Sequence, residues 1–145
     1  MSSEDNVNAL RRLLDEAFTN RNYAVIDEIV SLDCVEHQNG VCGLGPEAVR
    51  RSAAGLHASY PDLKLSVEDI AAAGDMVWAR VRARGTDTGG VGSRPPSGKT
   101  IELDVVTIVR FRDGKMVEHW GVADGLGRLR LVRALPEPQQ EPLAA

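Results

Sequence analysis

Two polar strings, each set among apolar residues, contain side chains that transfer protons. The first is DCVEH at 33–37, which ends at His37, and the second is EHWGVAD at 118–124, which contains His119 and Asp124. An imidazole titrates near neutral pH, and a carboxyl group does so when burial raises its pKa. These residue types indicate general acid/base chemistry, although a histidine in such a place can also be a hydrogen-bonded core residue.

The second string ends a predicted strand, and strand parity decides which of its side chains face the same way. On a regular strand His119 shares a face with Gly121, whereas Trp120 and Asp124 take the opposite face. A bulge at Gly121, or a turn just after it, would bring both titratable groups to one side. Without either, only one of His119 and Asp124 reaches a substrate, and the sequence leaves that choice open.

The long apolar strand at 101–111 supplies the predicted binding wall. Its alternation gives one apolar face with a single hydroxyl, made by Leu103, Val105, Thr107, Val109 and Phe111. A hydroxyl and a histidine among small apolar residues are typical of a small-molecule pocket. Aromatic rings could stack on a flat polycyclic ligand, with core packing as the alternative. The expected substrate-binding residues are Phe18, Trp78, Val105, Thr107, Phe111, Trp120 and Gly121.

Helices must precede these strands along the chain. Apolar residues at helical spacing predict three helices, and the period then changes to the alternation of about four strands. The intervening segment 33–45 is predicted as a loop with a short strand around Val35. The segment 86–99 is rich in Gly, Ser and Pro, so it is either a lid over a pocket or a hairpin connection. Helices followed by antiparallel strands indicate an α+β fold.

Length and composition favour one globular domain. The chain has 145 residues, of which 43% are apolar and 26% charged. We expect one domain over 1–135, with an amphipathic segment at 126–135, and a flexible tail over 136–145. A net charge of −4 gives no overall field that attracts nucleic acid or an anionic membrane. The acidic start MSSEDNVNAL does not read as a signal peptide, which predicts a cytoplasmic protein.

Other motifs compete with this interpretation but are weaker. A zinc site could be drawn from four residues at uncommon spacing, namely Cys34, His37, Cys42 and His57. The string GKT at 98–100 lacks the earlier glycine of a phosphate-binding loop and precedes a strand rather than a helix. Three arginines on one strand face indicate a solvated or subunit-facing surface, with an anion site as the alternative; they are Arg80, Arg82 and Arg84. We expect no metal.

Several strings together resemble the SnoaL-like polyketide cyclases and the related ester cyclases. The strings are DCVEHQNG, YPDLKLSVEDIAAAGDMVWARVRARGTDTG, PPSGKTIEL and RFRDGKMVEHWGVADGLGRLR, and the resemblance spans about residues 5–133. It implies the NTF2-like cone, in which three N-terminal helices pack on a strongly curved antiparallel sheet with a closed apolar end. It also implies a homodimer or a larger homo-oligomer.

The resemblance implies an activity as well: intramolecular aldol ring closure of a polyketide-like, hydrophobic carbonyl compound without metal or cofactor. An acidic pocket residue acts as general acid/base in such cyclases, and Asp124 is the best match here, with His119 beside it. Ketosteroid isomerase is a more distant likeness. Its base falls at His37 and its oxyanion-hole acid at Thr107; the residue types differ, so steroid isomerisation is not expected, but the likeness puts both residues on one lining with His119.

Two other classes of function are compatible with the sequence: a binding protein without catalysis, and an enzyme with a different reaction. The same fold hosts binding proteins that perform no chemistry, and it hosts isomerases, hydrolases and dehydratases. An epoxide hydrolase of this fold needs a buried Asp–Arg–Asp arrangement. Asp104 and Arg110 fall on the face of their strand opposite the apolar wall, which disfavours that reaction.

Overall fold

A computed structural model of the protein describes residues 2–38 and 43–125. The predicted amphipathic segment at 126–135, the tail at 136–145 and Cys42 lie outside the described residues. Among the described residues, no helix is long and apolar enough to cross a membrane.

Three helical segments precede most of the strands, as the sequence predicts. Helix α1 (Ser3–Arg12) continues into a π-helical segment (Leu13–Thr19), and α2 (Ala24–Ile29) and α3 (Gly45–Ser59) follow. A capping box starts α1: the Ser2 hydroxyl accepts from the Asp5 N–H at 3.1 Å, and the Asp5 carboxylate accepts from the Ser2 N–H at 2.9 Å.

Five strands form one sheet. They are β1 (Val30–Glu36), β2 (Lys64–Ala73), β3 (Met76–Thr86), β4 (Thr100–Arg112) and β5 (Lys115–Ala123). Their order in the sheet is β1-β5-β4-β3-β2, and all neighbours are antiparallel except β1 and β5, which are parallel. The α+β architecture is therefore confirmed. The loop predicted for 33–45 is partly wrong, because its first residues belong to β1.

The main core lies between the helices and the inner face of the sheet. It joins Leu10 and Leu14 from the first helical segments to Val77, Val109 and other apolar strand residues. Burial of this surface is the dominant stabilising term in such a domain. The helices therefore cover one face of the sheet and leave its opposite, outer face to solvent or to another chain.

The outer face of the sheet carries the arginines that alternate along β3. The Arg80 guanidinium lies 2.6 Å from the Asp69 carboxylate, and Arg82 lies 3.1 Å from that of Asp104. Because carboxylates already neutralise these two arginines, the face fits a solvated or subunit-facing surface better than an anion site. Asp104 and Arg110 do lie on this outer face, as strand parity predicts.

The connection between β3 and β4 folds around a buried carboxylate. Asp87 is fully buried and accepts hydrogen bonds from Arg94 at 2.8 Å and from the Ser97 hydroxyl at 2.8 Å. Burial alone would raise the pKa of Asp87, but the bonds from Arg94 and Ser97 outweigh it and lower that pKa to about 2. The Gly89 N–H donates to Ser59 O at 3.1 Å, which fixes this loop to the end of α3. These contacts favour the connection over the lid.

Candidate active site

A cavity of about 200 Å³ lies between the helices and the inner face of β3, β4 and β5. Its walls are mostly apolar, with Leu10 and Leu14 from the first helical segments, Leu56 from α3, and Leu103 from β4. Four of the expected binding residues line it, namely Phe18, Val105, Thr107 and Gly121. Such a hollow suits a small, largely hydrophobic ligand.

The π-helical segment contributes to the helical wall. In this segment the hydrogen bonds run from residue i+5 back to residue i, as in the bond of 3.0 Å from Asn20 N–H to Asp15 O. Leu13, Leu14 and Phe18 all line the cavity from here. Short π-helical stretches are frequent at functional sites because they change which side chains share a helix face.

His119 stands at the centre of a polar row in this apolar lining. Its Nδ1 lies 2.7 Å from the nearer carboxylate oxygen of Glu36, and its Nε2 lies 2.7 Å from the Thr107 hydroxyl. The Glu36 side chain is only 5% exposed and that of His119 17% exposed. All three residues line the cavity. The row therefore holds an imidazole between a carboxylate and a hydroxyl at the surface that a ligand would touch.

Strand pairing explains why these three side chains meet. Glu36 is the direct partner of His119 in the parallel pair β1–β5, and the His37 N–H donates to His119 O at 2.9 Å. Across the antiparallel pair β4–β5, Val109 faces His119 and Thr107 faces Gly121. Thr107 is therefore a diagonal neighbour of His119 on the same face.

The row sets the protonation pattern of the imidazole. Because a carboxylate only accepts, Nδ1 must carry the hydrogen that it shares with Glu36. The neutral ring then presents the lone pair of Nε2, to which the Thr107 hydroxyl donates. If Nε2 gains a proton, the same hydroxyl can accept from it by rotating its own hydrogen. The arrangement can therefore accommodate both states of a general acid/base.

Glu36 is the member of this polar row that was not predicted from the sequence. It lies within the string that was singled out, but that segment was predicted to be a loop with a short strand, so no parity was applied to it. Had 30–36 been treated as a strand, Cys34 and Glu36 would have shared a face. That alternation is the available signal, because Cys34 is buried and Glu36 lines the cavity.

The structure corrects the expectation for Asp124. The irregularity in the β4–β5 pair falls where Val117 is inserted, and the register from His119 to Ala123 is regular. Gly121 therefore hosts no bulge, and the parity of the strand leads Ala123 to the lining. Asp124 follows the strand as an exposed residue and does not line the cavity. Of the pair, His119 is the residue that reaches the cavity.

The structure also corrects the expected location of His37. Since His37 follows Glu36 on an extended chain, its side chain points to the opposite, outer face. There its Nε2 lies 3.1 Å from the Glu118 carboxylate, and its ring stacks on Trp120 with centroids 4.7 Å apart. His37 therefore does not share a lining with Thr107 and His119.

The three aromatic residues of the expected binding set lie outside the cavity as well. Trp78 is on the outer face and is 48% exposed, and Trp120 stacks there on His37. Phe111 points inward but is buried in the main core, beyond the end of the cavity. The two tryptophans are therefore on the face of the sheet away from the cavity, whereas Phe111 is on the inner face but outside the lining.

The residues of the alternative zinc site considered in the sequence do not come together within the described part of the chain. Cys34 is buried, and burial followed by the charge of nearby carboxylates raises the pKa of its thiol to about 12. His57 is buried between the Tyr23 hydroxyl and Phe18 O, each 2.5 Å from a ring nitrogen. No group of three or more His, Cys, Asp or Glu with metal-binding geometry occurs among the described residues.

A profile of the SnoaL-like polyketide cyclase family matches residues 8–131. The chain belongs to this family. Members of the SnoaL-like family take small polyketide-type substrates, which agrees with a compact apolar cavity. A comparison with curated proteins gives no significant match.

Solved structures of the same fold include other SnoaL-like proteins. A proposed SnoaL-like polyketide cyclase from Jannaschia sp. CCS1 is 26% identical, with a TM-score of 0.83 over 92% of this chain and 95% of that one. IdmH, a proposed polyketide cyclase from Streptomyces antibioticus, is 28% identical, with a TM-score of 0.78 over 88% and 98%. AclR from Streptomyces galilaeus, a proposed hydroxylase, is 25% identical, with a TM-score of 0.83 over 96% and 91%. These likenesses confirm the NTF2-like α+β fold expected from the sequence.

Proposed function

We propose that the protein closes a ring in a small polyketide-type compound by an intramolecular aldol reaction, with His119 as the general acid/base and no cofactor. The observation that carries this proposal is the row Glu36–His119–Thr107, which opens into an apolar cavity. The proposed ring closure differs from a hydroxylation because it consumes no oxidant.

The proposed reaction moves one proton away and back. When the substrate binds, the Thr107 hydroxyl turns its hydrogen away from Nε2 of His119, and Nε2 takes a proton from a substrate carbon that lies next to carbonyl groups. The resulting enolate carbon attacks a second carbonyl of the same molecule. The new C–C bond leaves an alkoxide, which takes the proton back from Nε2. The product is therefore an isomer of the substrate. General acid/base catalysis of this kind contributes about 10²–10⁴-fold to a rate.

Glu36 and Thr107 support the ring while it carries the proton. A carboxylate at 2.7 Å from Nδ1 stabilises the imidazolium and fixes the orientation of the ring. The Thr107 hydroxyl then accepts from the new Nε2–H. Because the surroundings are apolar, these hydrogen bonds are stronger electrostatically than they would be in water.

The apolar walls supply the ordering of the substrate. A flexible polyketide must fold so that its nucleophilic carbon lies next to the target carbonyl, and a tight cavity imposes that geometry when the ligand binds. Leu56 from α3 lines the cavity together with Leu103 and Val105 from β4. These contacts hold the chain without adding polar groups that would compete with His119.

A simple triketone tests the proposal: an oxobutyl chain attached to a cyclic diketone closes a second ring by aldol addition. The spontaneous reaction gives a racemic product, so chiral chromatography separates it from the catalysed one. We expect the protein to accelerate ring closure and to produce one enantiomer in excess. A racemic product formed at the rate seen in buffer, with the triketone bound and recovered unchanged, would instead identify a binding protein.

The outer face of the sheet supports a homodimer as part of the same proposal. Trp78, Ile108 and Trp120 are paired side by side across three strands, and exposed Val106 and Val122 form the next row. A continuous apolar band of this kind on a sheet is typical of a subunit interface. Light scattering should show a dimer that Trp78→Lys dissociates; a monomer at all concentrations would contradict this part of the proposal.

A further inference from the structure

The side chain of Gln38 lines the cavity just beyond the end of β1. Its backbone N–H donates to a Glu36 carboxylate oxygen at 2.9 Å. Its side-chain amide, in contrast, makes no hydrogen bond to any other described residue. The backbone of Gln38 is thus positioned by Glu36, while its side-chain amide is available to hydrogen-bond a ligand.

Gly121 is the residue that makes room for this amide. A Cβ atom on Gly121 would lie 2.7 Å from Gln38 Oε1, 2.9 Å from Gln38 Cδ and 3.2 Å from His119 Cε1. Contacts of 2.7 and 2.9 Å are too short for a real Cβ, so an alanine here would displace the amide. Since the amide oxygen and the imidazole carbon both lie close to one point, they are no more than about 6 Å apart.

The same carboxylate positions both groups. Oε1 of Glu36 accepts from the Gln38 N–H and, at 2.9 Å, from Nδ1 of His119. The imidazole and the backbone of Gln38 are thus held by one carboxylate, which keeps the amide of Gln38 beside the imidazole in the lining. A ketone fragment can therefore present a C–H to the imidazole and its carbonyl oxygen to the amide.

The aldol reaction needs a donor at the carbonyl that is attacked, because negative charge develops on its oxygen. Among the polar groups in the lining, Glu36 only accepts and Thr107 is engaged with His119. We propose that the side-chain amide of Gln38 donates this hydrogen bond and stabilises the alkoxide, and that Gly121 is required because it leaves space for the amide. This inference rests on the proposed function. Ser52 from α3 and Tyr60 at the end of α3 also line the cavity and carry hydroxyls, so they are the competing donors.

A turnover experiment tests the pair. We expect Gln38→Leu to lower kcat for the triketone about 10- to 100-fold, the effect of losing a hydrogen bond to a charged oxygen, with little change in KM. Gly121→Ala should cause a similar loss, and the double variant should be no slower than the slower single variant. Val35→Ala, an exposed neighbour on β1, is the matched control and should keep full activity. Additive losses in the double variant would contradict the role of Gly121.

A binding experiment tests the donor independently of turnover. Nitrophenolate carries negative charge on an oxygen attached to a ring, as the alkoxide and enolate do, and nitrotoluene is its neutral counterpart. We expect Gln38→Leu to weaken nitrophenolate binding at least tenfold and to leave nitrotoluene binding unchanged, which also shows that the cavity is intact.

The two experiments separate the two proposals. If wild-type protein does not close the triketone, the proposed function fails, and the nitrophenolate measurement still decides whether Gln38 is an anion donor. The inference about Gln38 is overturned if Gln38→Leu binds nitrophenolate as tightly as the wild type does. It is also overturned if Ser52→Ala or Tyr60→Phe weakens nitrophenolate binding at least tenfold instead.

Discussion

Two glutamate–histidine pairs occupy opposite faces of the same pair of strands. On the inner face Glu36 of β1 pairs with His119 of β5, and on the outer face His37, the residue directly after β1, pairs with Glu118 of β5. The residue types and the strands are the same in both pairs. Only the parity of the strand and the surroundings differ.

The surroundings decide what each pair can do. The inner carboxylate is 5% exposed, and its histidine also contacts Thr107 in an apolar cavity. The outer pair is 37% and 32% exposed, and its imidazole is covered on one side by Trp120. Water and salt screen an exposed pair, whereas a desolvated pair is fixed in geometry and faces the ligand. The same residue types therefore support proton transfer on one face and packing of the sheet surface on the other.

Replacement of the two histidines should break this symmetry most strongly. We expect His119→Ala to slow ring closure of the triketone about 10²–10⁴-fold, because the proton acceptor is lost. His37→Ala should stay within about twofold of the wild-type rate, since its ring faces away from the cavity. Initial rates from chiral chromatography give both numbers, and equal losses in the two variants would refute the distinction.

The two glutamates should differ in the same direction with smaller effects. Glu36→Gln removes the charge that stabilises the imidazolium, so we expect kcat to fall about 10- to 100-fold. Glu118→Gln removes a partly solvated carboxylate from the outer face and should leave kcat unchanged. If Glu36→Gln is fully active, the carboxylate does not orient His119 during the reaction.

Variants of Thr107 test whether its hydroxyl contributes to the action of the inner pair. Thr107→Val keeps the volume but removes the hydroxyl at Nε2, and the loss of one neutral hydrogen bond corresponds to about a fivefold fall in kcat. Thr107→Ser restores a hydroxyl and should recover most of that loss. A similar fall in the serine variant would point to packing by the threonine methyl group instead.

Asp87 provides a buried carboxylate that is paired but lies outside the candidate site. Asp87→Asn should lower the free energy of unfolding by about 2–4 kcal/mol, because Arg94 loses its charged partner, and should leave kcat unchanged. The folded pKa of Asp87, about 2, lies below its ordinary value of 3.8, so its contribution is present above pH 3.8 and is lost as pH falls toward 2. Denaturant unfolding at several pH values should show a larger loss of unfolding free energy in the wild type than in Asp87→Asn.

Much of the inner face could be predicted from local patterns. Alternation along β4 and β5 correctly placed Val105, Thr107, His119 and Gly121 on the side of the sheet that lines the cavity. The helices were equally predictable, because their apolar residues repeat at helical spacing. Parity also placed Asp104 and Arg110 outside, which disfavours the epoxide hydrolase arrangement.

The rest of the site depends on a contact that no local pattern contains. Glu36 and His119 are 83 residues apart and meet only because β1 joins the edge of the sheet parallel to β5. The insertion of Val117 likewise reflects the pairing of two strands. The sequence alone therefore could not decide whether a bulge at Gly121 or a turn after it brings Asp124 to the side of His119. His37 was placed on the lining by the likeness to ketosteroid isomerase, and no parity was applied to it because its segment was predicted as a loop.

The most direct test of the inner pair is a histidine NMR titration of the intact protein with the triketone. The chain has three histidines, at 37, 57 and 119, so three ring signals can be assigned by single substitutions. We expect the ring nitrogens of His119 to shift as the triketone binds, while those of His37 stay in place. Movement of the His37 signals with His119 unchanged would contradict the assignment of His119 as the residue that meets the substrate.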